Sequence, residues 1–144
     1  MISPRQAEIR EAEGDRQKRE SRSVEGVIAQ ATDPSVQEAL WEVVRSAERN
    51  GMFVRPYAVS LMFTPATKHT VCLFTVWVEG DGIKIASGPE MFQTFYGIDP
   101  LGVERYLGPR KITPLSLEQL GALPSRIDDL MNRSLEKDEP PEGV

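Results

Sequence analysis

The chain has 144 residues, of which 40% are apolar and 27% are charged, and its formal net charge is −5. This size and composition predict one soluble domain. The longest apolar run, 71–78, is far shorter than the roughly 20 residues that span a bilayer. A single cysteine excludes an internal disulfide, and the acidic balance argues against nucleic-acid binding by bulk charge. Because no apolar signal segment follows Met1, we expect a cytoplasmic protein without membrane contacts.

Both ends of the chain are rich in charge and poor in apolar residues. Residues 1–23 mix acids and bases, which predicts a disordered or transiently helical charged arm. Residues 134–144 are mainly acidic and contain two adjacent prolines, which predicts a disordered acidic tail. The sequence therefore predicts a single folded domain at 24–133.

The first element of this domain is a helix. Asp33 is suited to cap a helix that starts at Pro34, and Asn50-Gly51 is suited to end it. Between them, apolar residues recur at helical spacing. The spacing predicts a helix over 34–49, and a further helical turn is expected at 24–31. The predicted buried stripe is Val36, Leu40, Val43, Val44 and Ala47.

Short apolar stretches separated by turns follow the helix. Residues 57–63 alternate between the two faces of a strand, and 70–78 is apolar on both faces. Glu79-Gly80-Asp81-Gly82 predicts a tight turn into a third strand at 83–86. Residues 110–113 form a loop or a short fourth strand. Strands joined by short turns predict an antiparallel meander.

Helix-start signals recur in the last third of the chain, at Gly88-Pro89, Asp99-Pro100, Ser116 and Pro124-Ser125. They predict several short helices. The fold class predicted is α+β, with an antiparallel three- to four-stranded meander sheet and an N-terminal helix and short C-terminal helices packed on it.

The central strand, 70–78, carries the main functional expectation. One face would hold Cys72, Phe74, Val76 and Val78, and the other Val71, Leu73, Thr75 and Trp77. One face packs beneath helix 34–49, while the other is covered by the C-terminal helices or by a partner. The size of Trp77 favours a place in the core, with a groove as the alternative, and Cys72 is expected to be a core residue. The sequence thus predicts a non-enzymatic binding or accessory protein with a protein partner or a second copy on its sheet.

Catalytic chemistry finds little support. His69, the one histidine, lies in a polar turn, and one histidine with one cysteine cannot complete a structural zinc site. We expect no metal and no cofactor. Glu79, Asp81 and Asp99 leave a small hydrolase with an acidic site as an alternative, although a hairpin and a helix cap also account for these residues. Whether the protein is an enzyme stays open, with the balance against it.

A local basic patch is the third expectation. If basic and aromatic residues meet, they would hold a phosphate, a carboxylate or a nucleic-acid backbone. The order of elements, rather than any residue motif, resembles small accessory domains found beside nucleases in bacterial defence systems. That resemblance implies a nucleic-acid-associated accessory factor, which is an alternative to the protein-binding hypothesis. The candidate binding residues are Arg55, Tyr57, Trp77, Lys84, Arg105, Arg110 and Lys111.

Overall fold

A computed structural model describes the backbone of residues 23–138 and the side chains of residues 23–133. The predicted arm, except Ser23, and residues 139–144 of the predicted tail lie outside this part of the chain. The strands are β1 (Met52–Pro56), β2 (Ser60–Pro65), β3 (Phe74–Glu79), β4 (Gly82–Ser87) and β5 (Thr113–Leu115). The helices are α1 (Val24–Ile28), α2 (Pro34–Arg49), α3 (Pro89–Tyr96), α4 (Pro100–Leu107) and α5 (Leu117–Asp138).

The strands form one antiparallel sheet in the order β1-β2-β3-β4-β5. Each strand therefore pairs with its neighbour in the chain, as in a meander. The predicted α+β fold class is confirmed, with five strands in place of three or four. The additional strand is β1, whose residues Met52 and Val54 point into the core while Phe53 and Arg55 point away from it.

A single hydrophobic core fills the space between one face of the sheet and the helices. Strand β3 contributes Phe74, Val76 and Val78, which are fully buried. The ring of Phe74 is nearly parallel to two other rings. Its centroid lies 4.2 Å from that of Phe63 on β2 and 6.5 Å from that of Phe92 on α3. Each of the five helices adds buried residues to the same core. The helices accordingly share one side of the sheet.

Several predicted boundaries differ from the structure. Tyr57 to Val59 form a hairpin tip between β1 and β2, since the Tyr57 amide donates to the Ser60 carbonyl at 2.8 Å. Residues 70–73 belong to the connection that precedes β3. The helices predicted on either side of Pro124 are one helix, α5, whose last residue is Asp138.

Helix α5 continues through Pro124 because packing outweighs the missing backbone hydrogen bond. Its apolar stripe stays in the core on both sides of the proline. The Ser46 hydroxyl of α2 donates to the Pro124 carbonyl at 2.9 Å, so that α2 supports this turn of α5 from outside. The buried stripe is Leu120, Leu123, Ile127, Leu130 and Met131.

The turn between β3 and β4 is tied to the start of α2. The carboxylate of Asp81 accepts hydrogen bonds from the Thr32 hydroxyl at 2.6 Å, the Thr32 amide at 2.8 Å and the Asp33 amide at 2.9 Å. These bonds, led by that of the Thr32 hydroxyl, hold the pKa of Asp81 below its usual value. Asp33 in turn caps α2 by accepting from the Ser35 amide.

Asp128 joins α5 to α2. Its carboxylate accepts from Asn50 at 2.6 Å, from Arg49 at 2.7 Å and from the Ser46 hydroxyl at 3.0 Å. Burial raises the pKa of Asp128, but the bonds from Arg49, Asn50 and Ser46 outweigh it and leave the pKa lowered. The neighbouring Asp129 is exposed and lacks such partners among the described residues.

We expect Asp128→Asn to lower the free energy of unfolding at pH 7 by about 1 kcal/mol, a value that allows for partial solvent screening. A carboxylate with a lowered pKa stabilises the fold above its unfolded-state value, and this stabilisation is lost as the pH falls through the folded-state value. The difference between wild type and variant should therefore shrink below about pH 4. Urea denaturation between pH 2.5 and 7 measures it.

Asp129→Asn is the matched control and should leave the unfolding free energy within about 0.5 kcal/mol of wild type. Equal losses in the two variants would show that Asp128 does not have the linking role described.

Candidate binding surface

The side of the sheet opposite the helices forms a second surface, which we call the open sheet face. Its central row runs across four strands as Arg55, Met62, Thr75 and Ala86. The next row runs as Ser60, Trp77, Lys84 and Pro114. Neither Met62 nor Trp77 belongs to the hydrophobic core, and no helix among residues 23–138 packs on this face.

A connection between β2 and β3 folds back over one end of the open sheet face. The imidazole of His69 stacks on the ring of Phe53, with the ring centroids 3.9 Å apart and the planes nearly parallel. Nε2 of His69 donates to the carbonyl of Ala66 at 2.8 Å, which fixes the ring against its own loop. Sγ of Cys72 lies 3.1 Å from the hydroxyl of Thr75. This loop, 66–73, therefore contacts β1 through Phe53, and its Cys72 contacts β3 through Thr75.

Arg55 is positioned by two neighbours at the β1 edge of this surface. Its Nη1 donates to the carbonyl of His69 at 2.8 Å, and its guanidinium carbon lies 5.7 Å from the centre of the Tyr57 ring. That geometry is typical of a cation–π contact. Arg55 has no carboxylate partner among the described residues, so its charge is available to a ligand.

Apolar side chains are exposed around Arg55. Phe53 is 43% exposed, Tyr57 37% and Val59 42%. All three lie on β1 or its hairpin tip, and so at one edge of the sheet.

Trp77 and Lys84 are directly opposite each other on β3 and β4. Nζ of Lys84 lies 3.2 Å from Oε2 of Glu79. Both side chains of that ion pair are about half exposed, so it contributes little to stability and can exchange for another partner. Trp77 is half-buried and stands between Ser60 and Lys84.

The core position favoured for Trp77 is therefore wrong. Strand alternation places Phe74, Val76 and Val78 toward the helices, so Trp77 faces the opposite way. The expected core position of Cys72 is also wrong, because the residue is half-buried in the loop. Leu73, grouped by the sequence with Trp77, is fully buried in the core.

The structure divides the seven predicted binding residues into two groups. Arg55, Tyr57, Trp77 and Lys84 come together on the open sheet face and its hairpin edge. The other three residues, Arg105, Arg110 and Lys111, lie away from the open sheet face. Arg105 is exposed on α4 in the helical layer, Arg110 forms an ion pair with Glu90 of α3, and Lys111 is exposed in the loop before β5.

The sequence reasoning missed Phe53, Met62 and the contact made by His69. Phe53 would have been found had residues 52–55 been interpreted as a strand, because strand geometry places Phe53 on the face opposite Met52 and Val54. The stacking of His69 on Phe53 depends on the path of a long loop, and no local pattern carries that information.

The acids considered for a hydrolase are separated and already occupied. Asp81 binds the start of α2, Asp99 caps α4 and Glu79 pairs with Lys84. Among the described residues, no three His, Cys, Asp or Glu side chains are grouped closely enough to bind a metal ion. No helix within residues 23–138 has both the length and the apolar character of a membrane span.

Comparison of the chain with protein-family models, with curated proteins and with solved structures finds no match. The candidate surface must therefore be interpreted from its own geometry and charge.

Phe74 and Trp77 lie on opposite faces of β3, so their replacement by alanine should have different effects on stability. Trp77→Ala should lower the free energy of unfolding by about 1 kcal/mol or less, as is usual outside a core. Phe74→Ala should lower it by about 3–5 kcal/mol, because it removes a stacked ring from the core. Chemical denaturation followed by circular dichroism measures both. A loss for Trp77→Ala as large as that for Phe74→Ala would contradict the assignment of Trp77 to the open sheet face.

Proposed function

We propose that this is a non-enzymatic binding or accessory protein that docks a protein partner on the open sheet face. The observation that carries the proposal is the group of aromatic and apolar side chains outside the core. Trp, Tyr and Arg are the residue types that dominate binding energy in protein interfaces. Trp77, Tyr57 and Arg55 supply them here, with Met62 between them on the same face.

The charge of this face favours an acidic partner. Arg55 has no ion pair among the described residues, and Lys84 has only its exposed pair with Glu79. An isologous dimer would place two such basic surfaces against each other, which opposes association. A partner segment with carboxylates among apolar residues would match both the charge and the apolar character of the face.

Single-stranded nucleic acid is the second candidate. The ring of Phe53, stacked on His69 and adjacent to Arg55, is the kind of aromatic platform on which bases stack. The strands of the face offer few cations for a phosphate backbone, however, namely Arg55 and Lys84, and Val59 adds exposed aliphatic surface at the hairpin tip. These features support a protein segment over a nucleic acid.

The test uses the full chain, labelled with ¹⁵N, and a synthetic peptide in which Glu and Leu alternate. We expect the peptide to shift the amide resonances of Arg55, Met62, Trp77 and Lys84, and we expect the affinity to fall with salt. Trp77→Ser should weaken binding by roughly 30-fold, the effect of removing a central interface tryptophan. A peptide with Lys in place of Glu should not bind.

Leu101→Ser is the matched control, because Leu101 is an exposed apolar residue of α4 in the helical layer. It should leave the peptide affinity unchanged. Shifts confined to the helices, or no shifts, would refute the proposal. Tighter binding of oligothymidine at the same amides would replace it with the nucleic-acid function. A dimer in sedimentation that Trp77→Ser dissociates would replace the acidic partner with a second copy.

A further inference from the structure

A separate cleft lies in the helical layer, at the far edge of the sheet from β1. It is enclosed by β5, the end of α4 and the first half of α5, and its volume is about 250 Å³. Its apolar walls include Leu107, Leu115 and Leu123. The volume lies just below the range of about 300–1,000 Å³ that is usual for drug-sized ligands, so the cleft fits a smaller molecule.

Most polar groups around this cleft are already bonded within the protein. The side-chain oxygen of Gln119 accepts from the Ser116 amide at 2.8 Å, and the Thr113 hydroxyl donates to the Lys111 carbonyl at 2.9 Å. These groups hold β5 and the start of α5 in place. They leave the apolar walls and the cations as the features that would recognise a ligand.

One guanidinium group lines the cleft, and a second lies in an adjoining depression beside it. Arg126 lines it directly, and its single hydrogen bond within the described residues is a long one, 3.5 Å, to the Arg105 carbonyl. Arg133 lies about two turns further along α5, with its guanidinium carbon 5.1 Å from the centre of the Tyr106 ring, which also lines the cleft. Neither arginine has an ion pair among the described residues, although Asp129 lies between them on α5 in an adjoining depression.

We propose that this cleft binds a small carboxylic acid with an apolar body. The apolar part would lie against Leu107, Leu115 and Leu123, and the carboxylate would accept two parallel hydrogen bonds from Arg126. Arg133 adds positive charge at the Tyr106 side. This site is separate from the open sheet face, because its walls are formed by β5, α4 and α5 at the opposite edge of the sheet from β1, although Pro114 on β5 borders both.

Octanoate is a suitable probe, since it combines a carboxylate with a short apolar chain. In a titration of the ¹⁵N-labelled full chain, we expect octanoate to shift the amides of Leu107, Thr113 and Leu123. Octanol and acetate, which each lack one half of that chemistry, should bind more weakly by at least roughly tenfold.

Arg126 is exposed, so its replacement should leave the fold intact, which circular dichroism checks. Arg126→Gln should weaken octanoate binding by roughly tenfold, and Arg126→Lys should weaken it less, because lysine keeps the charge without the paired donors. Arg45→Gln, at an exposed arginine of α2, is the matched control and should have no effect.

The proposal is overturned if millimolar octanoate causes no shifts at the cleft, or if the shifts lie on the open sheet face. It is also overturned if octanol binds as tightly as octanoate, or if Arg126→Gln binds as tightly as wild type. None of these outcomes bears on the acidic-peptide test, whose variants lie on the other side of the sheet.

Discussion

The packing of all the described helices on one face of the sheet is the constraint on which the rest of the structure depends. Strand β3 shows it most directly, because Phe74, Val76 and Val78 are fully buried while Thr75 and Trp77 face the other way. All five described helices contribute to the single hydrophobic core, so none of them is left to cover the other face of the sheet. The opposite face is therefore formed by side chains that must be compatible with water or with a partner.

That second face combines several weak features into one surface. Aromatic residues exposed on β1 would be unremarkable alone, since folded proteins expose much apolar area. Here they stand beside Arg55, which has no carboxylate partner among the described residues, and beside Trp77 and Lys84. The loop places His69 on Phe53 and leaves that ring 43% exposed beside the rows that contain Met62 and Trp77. These features are the ones on which the proposed docking function rests.

Local patterns were sufficient to predict the fold class and the best-defined elements. The capped helix starting at Pro34 occurs as predicted, because spacing, capping and stop signals all agree there. The glycine hairpin between β3 and β4 also forms. Its Asp81 carboxylate accepts a hydrogen bond from the Asp33 amide at the start of α2. The elements that were predicted wrongly depend on contacts between residues far apart in the sequence. Pro124 was interpreted as a break between helices, whereas the packing of α5 on α2 carries one helix through it.

The binding residues were predictable only in part, for the same reason. Alternation in β3 and β4 is local, and it suffices to bring Trp77 opposite Lys84. Arg110 could not be assigned from the sequence, since its partner Glu90 lies on another element. Arg126 and Arg133 were not selected, because they approach Tyr106 only through the packing of α5 on α4.

The measurement that tests the central claim most directly is hydroxyl-radical footprinting of the full chain, read at two methionines. Met62 lies on β2 in the open sheet face, and Met52 lies on β1 facing the core, where it is 5% exposed. We expect rapid oxidation of Met62 and protection of Met52 in the native protein, with equal oxidation of the two in denaturant. Equal protection of the two in the native protein would show that the sheet is covered on both faces, and that the open sheet face does not exist.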